Sequence, residues 1–177
     1  MLIVALLALM YWGWNIRHCE QQASMYVETL RTLIPEPQDA LPEERRDNTM
    51  STLSIDGVNF VGLLELPRYG SVLPVCNDWG RPDRYPCRFD GSIYDGSMQI
   101  GATTQTGQYS FYRDISVGDT VVFTDVEGNR YTFQVSAMRY EKQIDQKIFQ
   151  REAAACTLFV KNMYAFEYLV IFCQNAT

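Results

Sequence analysis

Thr157-Leu-Phe-Val160 and Tyr168-Leu-Val-Ile-Phe172, joined by the connector Lys161 to Glu167, stand near the end of the 177-residue sequence. Both runs are apolar, β-branched or aromatic. Such residues suit strands that are buried on at least one face. The pair reads as two neighbouring strands of a β core, and the rest of the chain is read outward from it.

Immediately before it, Glu141 to Ala155 is helix-compatible. Ile144, Ile148 and the Ala153 to Ala155 run alternate with Lys and Gln. Further back, Asp119 to Thr124 and Arg130 to Val135 flank Asp125-Val-Glu-Gly-Asn129, a hairpin pattern with a glycine-containing loop. Val58 to Leu66 reads as a strand turned by Pro67-Arg-Tyr-Gly70, and Ser71 to Val75 gives a short second strand. Asn77 to Pro86 is loop-like, with one glycine and two prolines. Gly91 to Tyr94 precedes the turn dipeptide Asp95-Gly96, and Met98 to Gly101 is another short strand. Gln105 to Tyr112 is compatible with a helical turn. Several short strands with one late helix indicate a mostly β barrel or sandwich.

The amino-terminal third differs in kind. Met1 to Ile16 (MLIVALLALMYWGWNI) has no charged side chain and ends in Tyr11, Trp12 and Trp14, aromatics that suit a membrane interface. It lacks the basic start and small-residue cleavage site of a signal peptide. Residues 1–16 are therefore expected to be a transmembrane signal anchor, although the run is slightly short for a span. Residues 17–49 are expected to be a helical stalk and a linker. Tyr26, Leu30 and Leu33 recur at helical spacing, Ile34-Pro-Glu-Pro37 stops the helix, and Pro35 to Asn48 is rich in proline and charge. Residues 50–177 are the folded domain.

The formal charge is −6, and no dense basic run is present. This argues against nucleic-acid binding. The five cysteines, Cys19, Cys76, Cys87, Cys156 and Cys173, include no CxxC pair, and His18 is the single histidine. Zinc ligation is not indicated. Asp90, Asp95 and Asp114 form no calcium-loop pattern, so neither a metal nor a cofactor is expected. Cys76 and Cys87 are close enough in sequence to close a small loop by a disulfide, or to be two buried, unpaired thiols.

The order of segments is similar to that of an extracellular sortase of Gram-positive bacteria. The residues that carry the similarity are Gly62-Leu-Leu-Glu-Leu-Pro67, Leu73-Pro-Val75, Pro86-Cys-Arg-Phe89 and Gly91-Ser-Ile-Tyr94. Ile115-Ser-Val-Gly-Asp119, Phe123-Thr-Asp125, Gly128-Asn129 and Thr157-Leu-Phe159 complete the set. Together they run from about Gly57 to Cys173. The resemblance implies a closed β-barrel of about eight strands with short helices, anchored in the cell membrane by a single pass with its domain facing outside. It implies a transpeptidase whose cysteine thiolate attacks an LPXTG-type sorting signal, assisted by a histidine and an arginine.

The residues at those three places depart from the family pattern. The histidine follows a hydrophobic-Ala-Gly strand end in the family. Here Ile100-Gly-Ala102 is followed by Thr103. The cysteine ends a Thr-Leu-x-Thr-Cys strand, and here Thr157-Leu-Phe-Val160 is followed by Lys161. The arginine opens the last strand, where Tyr168 stands. Residues 50–177 contain no histidine, which leaves no obvious proton carrier near neutral pH. Cys156 and Cys173 each lie five residues from a motif position. Side-chain alternation points them to the opposite face.

Thr103, Lys161 and Tyr168 are accordingly read as non-catalytic counterparts. The protein is expected to be a pseudo-sortase that binds a sorting-signal peptide, a pilin or an active sortase. Two alternatives remain: an active transpeptidase with rearranged catalytic residues, and a structural envelope domain without ligand.

Overall fold

The computed structural model describes residues 2–39, 48–104, 111–150, 152–163 and 165–176. Helix α1 spans Leu2–Leu33. The strands that follow are β1 (Gln38–Asp39), β2 (Leu53–Ile55), β3 (Val58–Leu66), β4 (Ser71–Cys76), β5 (Cys87–Asp90), β6 (Met98–Thr103), β7 (Thr120–Asp125) and β8 (Asn129–Glu141). Helix α2 (Gln146–Phe149) then precedes β9 (Cys156–Asn162) and β10 (Glu167–Asn175).

Strands β8, β10, β9, β6, β5, β4 and β3 pair in that order, and β7 pairs with both β3 and β8. This closes an eight-stranded barrel, as expected from the sequence. Pairing is antiparallel except for β4 with β5, β6 with β9 and the short β1 with β8. The two runs that open the sequence argument are β9 and β10, paired along their length from Glu167 opposite Asn162 to Cys173 opposite Cys156.

Alternation along each strand divides the apolar residues between two faces. Met98, Ile100 and Ala102 of β6, Cys156, Leu158 and Val160 of β9, and Leu169, Ile171 and Cys173 of β10 join residues of β3, β4, β7 and β8 in the barrel interior. The intervening Phe159, Val170 and Phe172 pack outside, against Ile148 and Phe149 of α2. A third cluster lies under α1. Ala23, Tyr26, Val27 and Leu30 of the helix, with Ile34 just beyond its end, cover Phe60 and Leu63 of β3, together with Cys76, Tyr85 and Cys87. Gly62 at the β3 bulge is required by geometry, because its φ is +155° and a Cβ there would lie 2.1 Å from the Thr124 carbonyl oxygen.

Three points of the sequence reading are compared with the structure. The first concerns the helix expected over Glu141 to Ala155, which is only α2. Strand β8 continues to Glu141, Asp145 caps α2 by accepting from the Ile148 N–H, and the alanine run returns the chain to the sheet. There the Ala155 N–H donates to the Cys173 carbonyl at 2.8 Å. Helix propensity in Ala153 to Ala155 yields to strand pairing immediately downstream.

The second concerns the expected membrane anchor, whose placement the structure leaves open. No helix among the described residues is long and apolar enough to cross a membrane. The apolar run ends at Ile16, and Arg17, His18 and Glu20 continue the same helix. Its first half is exposed on all sides, from Ile3 to Trp14, whereas its second half packs on the barrel.

The third concerns missed strands. Three short elements, β1, β2 and β5, were not read from the sequence. β2 turns into β3 through Asp56 and Gly57, both with positive φ. This is the two-residue hairpin geometry that Asp-Gly favours. The turn expected over Gln105 to Tyr112 lies, for 105–110, outside the described residues, as does 40–47 of the linker.

Candidate functional site

Strand register assembles the site. Thr103 on β6 is the partner of Lys161 on β9, Lys161 is the partner of Tyr168 on β10, and Tyr168 is the partner of Glu141 on β8. Directly opposed residues share a face. The three positions singled out in the sequence therefore form one row across three adjacent strands, on the outside of the barrel, with Glu141 as its fourth member. A second row lies beside it: Gly101, Phe159, Val170 and Arg139.

The row is polar at one end and aromatic on its flank. The Lys161 Nζ lies 5.8 Å from the centroid of the Tyr168 ring, within cation–π range. The Thr103 N–H donates to the Pro82 carbonyl (3.0 Å), and the Thr104 N–H donates to the Lys161 carbonyl (3.0 Å). The Met163 N–H donates to the Thr104 hydroxyl (3.2 Å). The Thr103 hydroxyl itself is enclosed and has no hydrogen-bond partner among the described residues. An enclosed hydroxyl without a partner costs free energy.

Flanking the row is an aromatic terrace that was not identified from the sequence. Phe159 is 2% exposed and sits at its centre. The rings of Trp79, Phe89, Phe149 and Tyr168 surround it at 5.4 to 6.4 Å between centroids. Trp79 and Phe89 remain 40% and 38% exposed. Gly101 makes this possible. A Cβ at that position would lie 2.3 Å from Phe159 Cζ and 2.6 Å from Trp79 Cη2. Alternation placed Phe159 on the same face as Lys161, and that was the available signal. Trp79 carries no such signal, because it comes from the loop between β4 and β5.

The cysteines lie elsewhere. Cys156 and Cys173 face each other in the barrel interior, as alternation predicted. Burial pushes the Cys156 thiol up to about 12 and raises that of Cys173 as well. Cys76 and Cys87 lie beneath α1. All five cysteines are buried, and none is in a disulfide. His18 is on α1, stacked on Trp14 at 5.2 Å. The row thus offers a hydroxyl, an ammonium, a phenol and a carboxylate, with neither thiol nor imidazole among them. Such groups can hold a peptide carbonyl or carboxylate by hydrogen bonds and charge. A separate polar hollow of about 420 Å³, lined by Asn48, Asn77, Arg88, Asp90, Ser92 and Asp95 among others, includes none of the row.

No protein-family model and no curated protein sequence matches the chain. Solved structures do. Sortase A from Corynebacterium diphtheriae superposes with a TM-score of 0.57 at 12% identity, over 94% of this chain and 84% of that one. Sortase C1 from Streptococcus agalactiae gives 0.56 at 18% identity, over 70% and 71% of the two chains. Sortase C from Clostridium perfringens, in a structure with the C-terminal cell wall sorting motif, gives 0.56 at 12% identity over 67% and 71%. The barrel has the sortase fold.

Proposed function

We propose that this sortase-fold barrel is a catalytically degenerate sortase, which holds a sorting-signal type of peptide, presented free, on a pilin or by a partner sortase, without cleaving it. One observation carries the reading. Thr103, Lys161 and Tyr168, all half-buried, fall in a single cross-strand row on the outer face of the barrel beside an aromatic terrace. Attack on a peptide carbonyl needs an activated nucleophile and a base within hydrogen-bond reach, and the row provides no thiol and no imidazole. Aromatic rings beside a cation and a phenol suit binding of an extended peptide with apolar side chains and free carbonyls. The sorting-motif peptide with the Clostridium perfringens sortase C supports a peptide as the class of ligand.

Placement at a cell surface belongs to the same proposal. Its support is the exposed apolar half of α1, which ends in Tyr11, Trp12 and Trp14.

The test is to mix the full chain with fluorescent LPXTG-type peptides and an amine acceptor, following both binding and turnover. Saturable binding without product is expected, weakened about tenfold by Lys161→Ala. Robust cleavage or ligation would overturn the proposal.

The central place of Lys161 in the row favours a second reading, in which its amine is the nucleophile. That reading requires an activated amine, and the Tyr168 ring lies 5.8 Å from its Nζ. It predicts an acyl adduct on Lys161, visible by intact mass. An adduct would replace the binding-only function with catalysis.

A further inference from the structure

We propose that Cys76 and Cys87 form a dithiol–disulfide pair that clamps the base of the Trp79 loop. The two residues are direct register partners in the parallel pairing of β4 with β5, and both side chains lie in the cluster beneath α1. Neighbouring strands are about 4.8 Å apart, inside the Cα separation that a disulfide spans. Residues 77–86, which the bond would enclose, form the wall of the candidate site. Trp79 packs on Phe159 with centroids 5.5 Å apart, and the Pro82 carbonyl accepts from the Thr103 N–H. A covalent link at the base would hold both contacts.

The chemistry of the pair supports this role. The Cys87 thiol donates to the Tyr85 carbonyl at 3.4 Å, and interaction with Cys87 together with burial raises Cys76. Interaction with Cys76, together with the backbone at Arg81, holds Cys87 below the ordinary thiol range. Two thiols that face each other at one register position are placed for exchange with each other. The other facing pair, Cys156 and Cys173, is raised at both members by burial in the barrel and is inert by comparison.

The oxidant is a disulfide, either small or carried by a protein. The Cys87 thiolate attacks one sulfur of the oxidant, giving a mixed disulfide and releasing one thiol. Cys76 then loses its proton and attacks Cys87, forming the Cys76–Cys87 bond and releasing the second thiol. Two electrons pass from the pair to the oxidant. Because both thiols are buried under α1, the exchange takes place as the chain folds or when α1 opens locally.

The experiment refolds the full chain with oxidised or reduced glutathione, alkylates it in denaturant and maps trypsin fragments by mass. Arg84, followed by Tyr85, lies between the two cysteines, so trypsin separates them unless a bond joins them. The expected result is a linked Cys76–Cys87 fragment in the oxidised sample, two cysteines protected from alkylation, and native tryptic cleavage after Arg84 slowed about fivefold. The Cys76→Ala/Cys87→Ala variant should lose that slowing. Alkylation of all five cysteines, or a bond between any other pair, overturns the proposal. A correct bond with no change in cleavage overturns the clamp. If the variant fails to fold, the mapping on the unmutated chain decides.

Discussion

Lys161 and Tyr168 face each other across β9 and β10, with the ammonium over the phenol ring at 5.8 Å. Thr103 adjoins Lys161 on its other side. Position 161 therefore opens outward from the barrel, and the five cysteines do not.

Lys161→Cys should place a reactive thiol on that open face. With iodoacetamide under native conditions, one cysteine per chain should be modified at least roughly tenfold faster than any native cysteine, because burial slows the others. Slow modification of the variant, matching the native thiols, would show that position 161 is covered.

Phe159 holds the terrace together. Phe159→Ala removes a buried ring contacted by four others and leaves a cavity, so the variant should lose about 3–5 kcal/mol in urea unfolding. A loss under about 1 kcal/mol would mean that the surrounding rings collapse into the space.

Gly101→Val tests whether the terrace depends on the absence of a side chain. The added carbons collide with the Phe159 and Trp79 rings, and the loop ring is the freer of the two to leave. In a Trp12→Phe/Trp14→Phe background, acrylamide should quench Trp79 about twofold more strongly in the variant, as expected for a ring released to solvent. Unchanged quenching would place the accommodation at Phe159 instead.

Asp119 gives a pH prediction away from the site. Burial alone would raise its carboxyl. The Tyr69 hydroxyl (2.6 Å), the Arg68 guanidinium (2.6 Å) and the Ser116 N–H (2.9 Å) nevertheless hold it below the usual carboxylate range. A depressed carboxylate contributes stability above its unfolded-state value, near 3.9, and that contribution is lost as pH falls through the lower folded-state value. Asp119→Asn should therefore cost about 1–3 kcal/mol at pH 7. The difference from the unmutated protein should narrow below about pH 4 in urea titrations. A difference independent of pH would assign the loss to packing.

The barrel was legible because its signals were local and repeated. Val58 to Leu66, the Asp119 to Val135 hairpin and the terminal pair each carried strand composition bounded by turn residues. Strand β5 was not legible. Cys87-Arg-Phe-Asp90 is short and follows two prolines, and it becomes a strand only because β4 and β6 are there to pair with it.

At the site, alternation gave the facing of Lys161, Cys156 and Cys173. Neighbour relations between Thr103, Lys161 and Tyr168 depend on register between strands far apart in sequence, which no local pattern encodes. The terrace was hidden for a related reason. Trp79 reaches it from a loop, and Gly101 matters through an atom that it lacks.

Strand β10 is the final strand of the barrel in chain order, yet it lies in the middle of the sheet path, between β8 and β9. The ring is also joined at β7 to β3, across roughly sixty residues of intervening chain. A chain that emerges residue by residue can form its hairpins early, but it has a gap in the wall until Glu167–Asn175 arrives. The segment that completes the row at Tyr168 is thus the one that commits the whole barrel. Assembly of the site and closure of the fold become a single late event, which a truncation before Glu167 would abolish together.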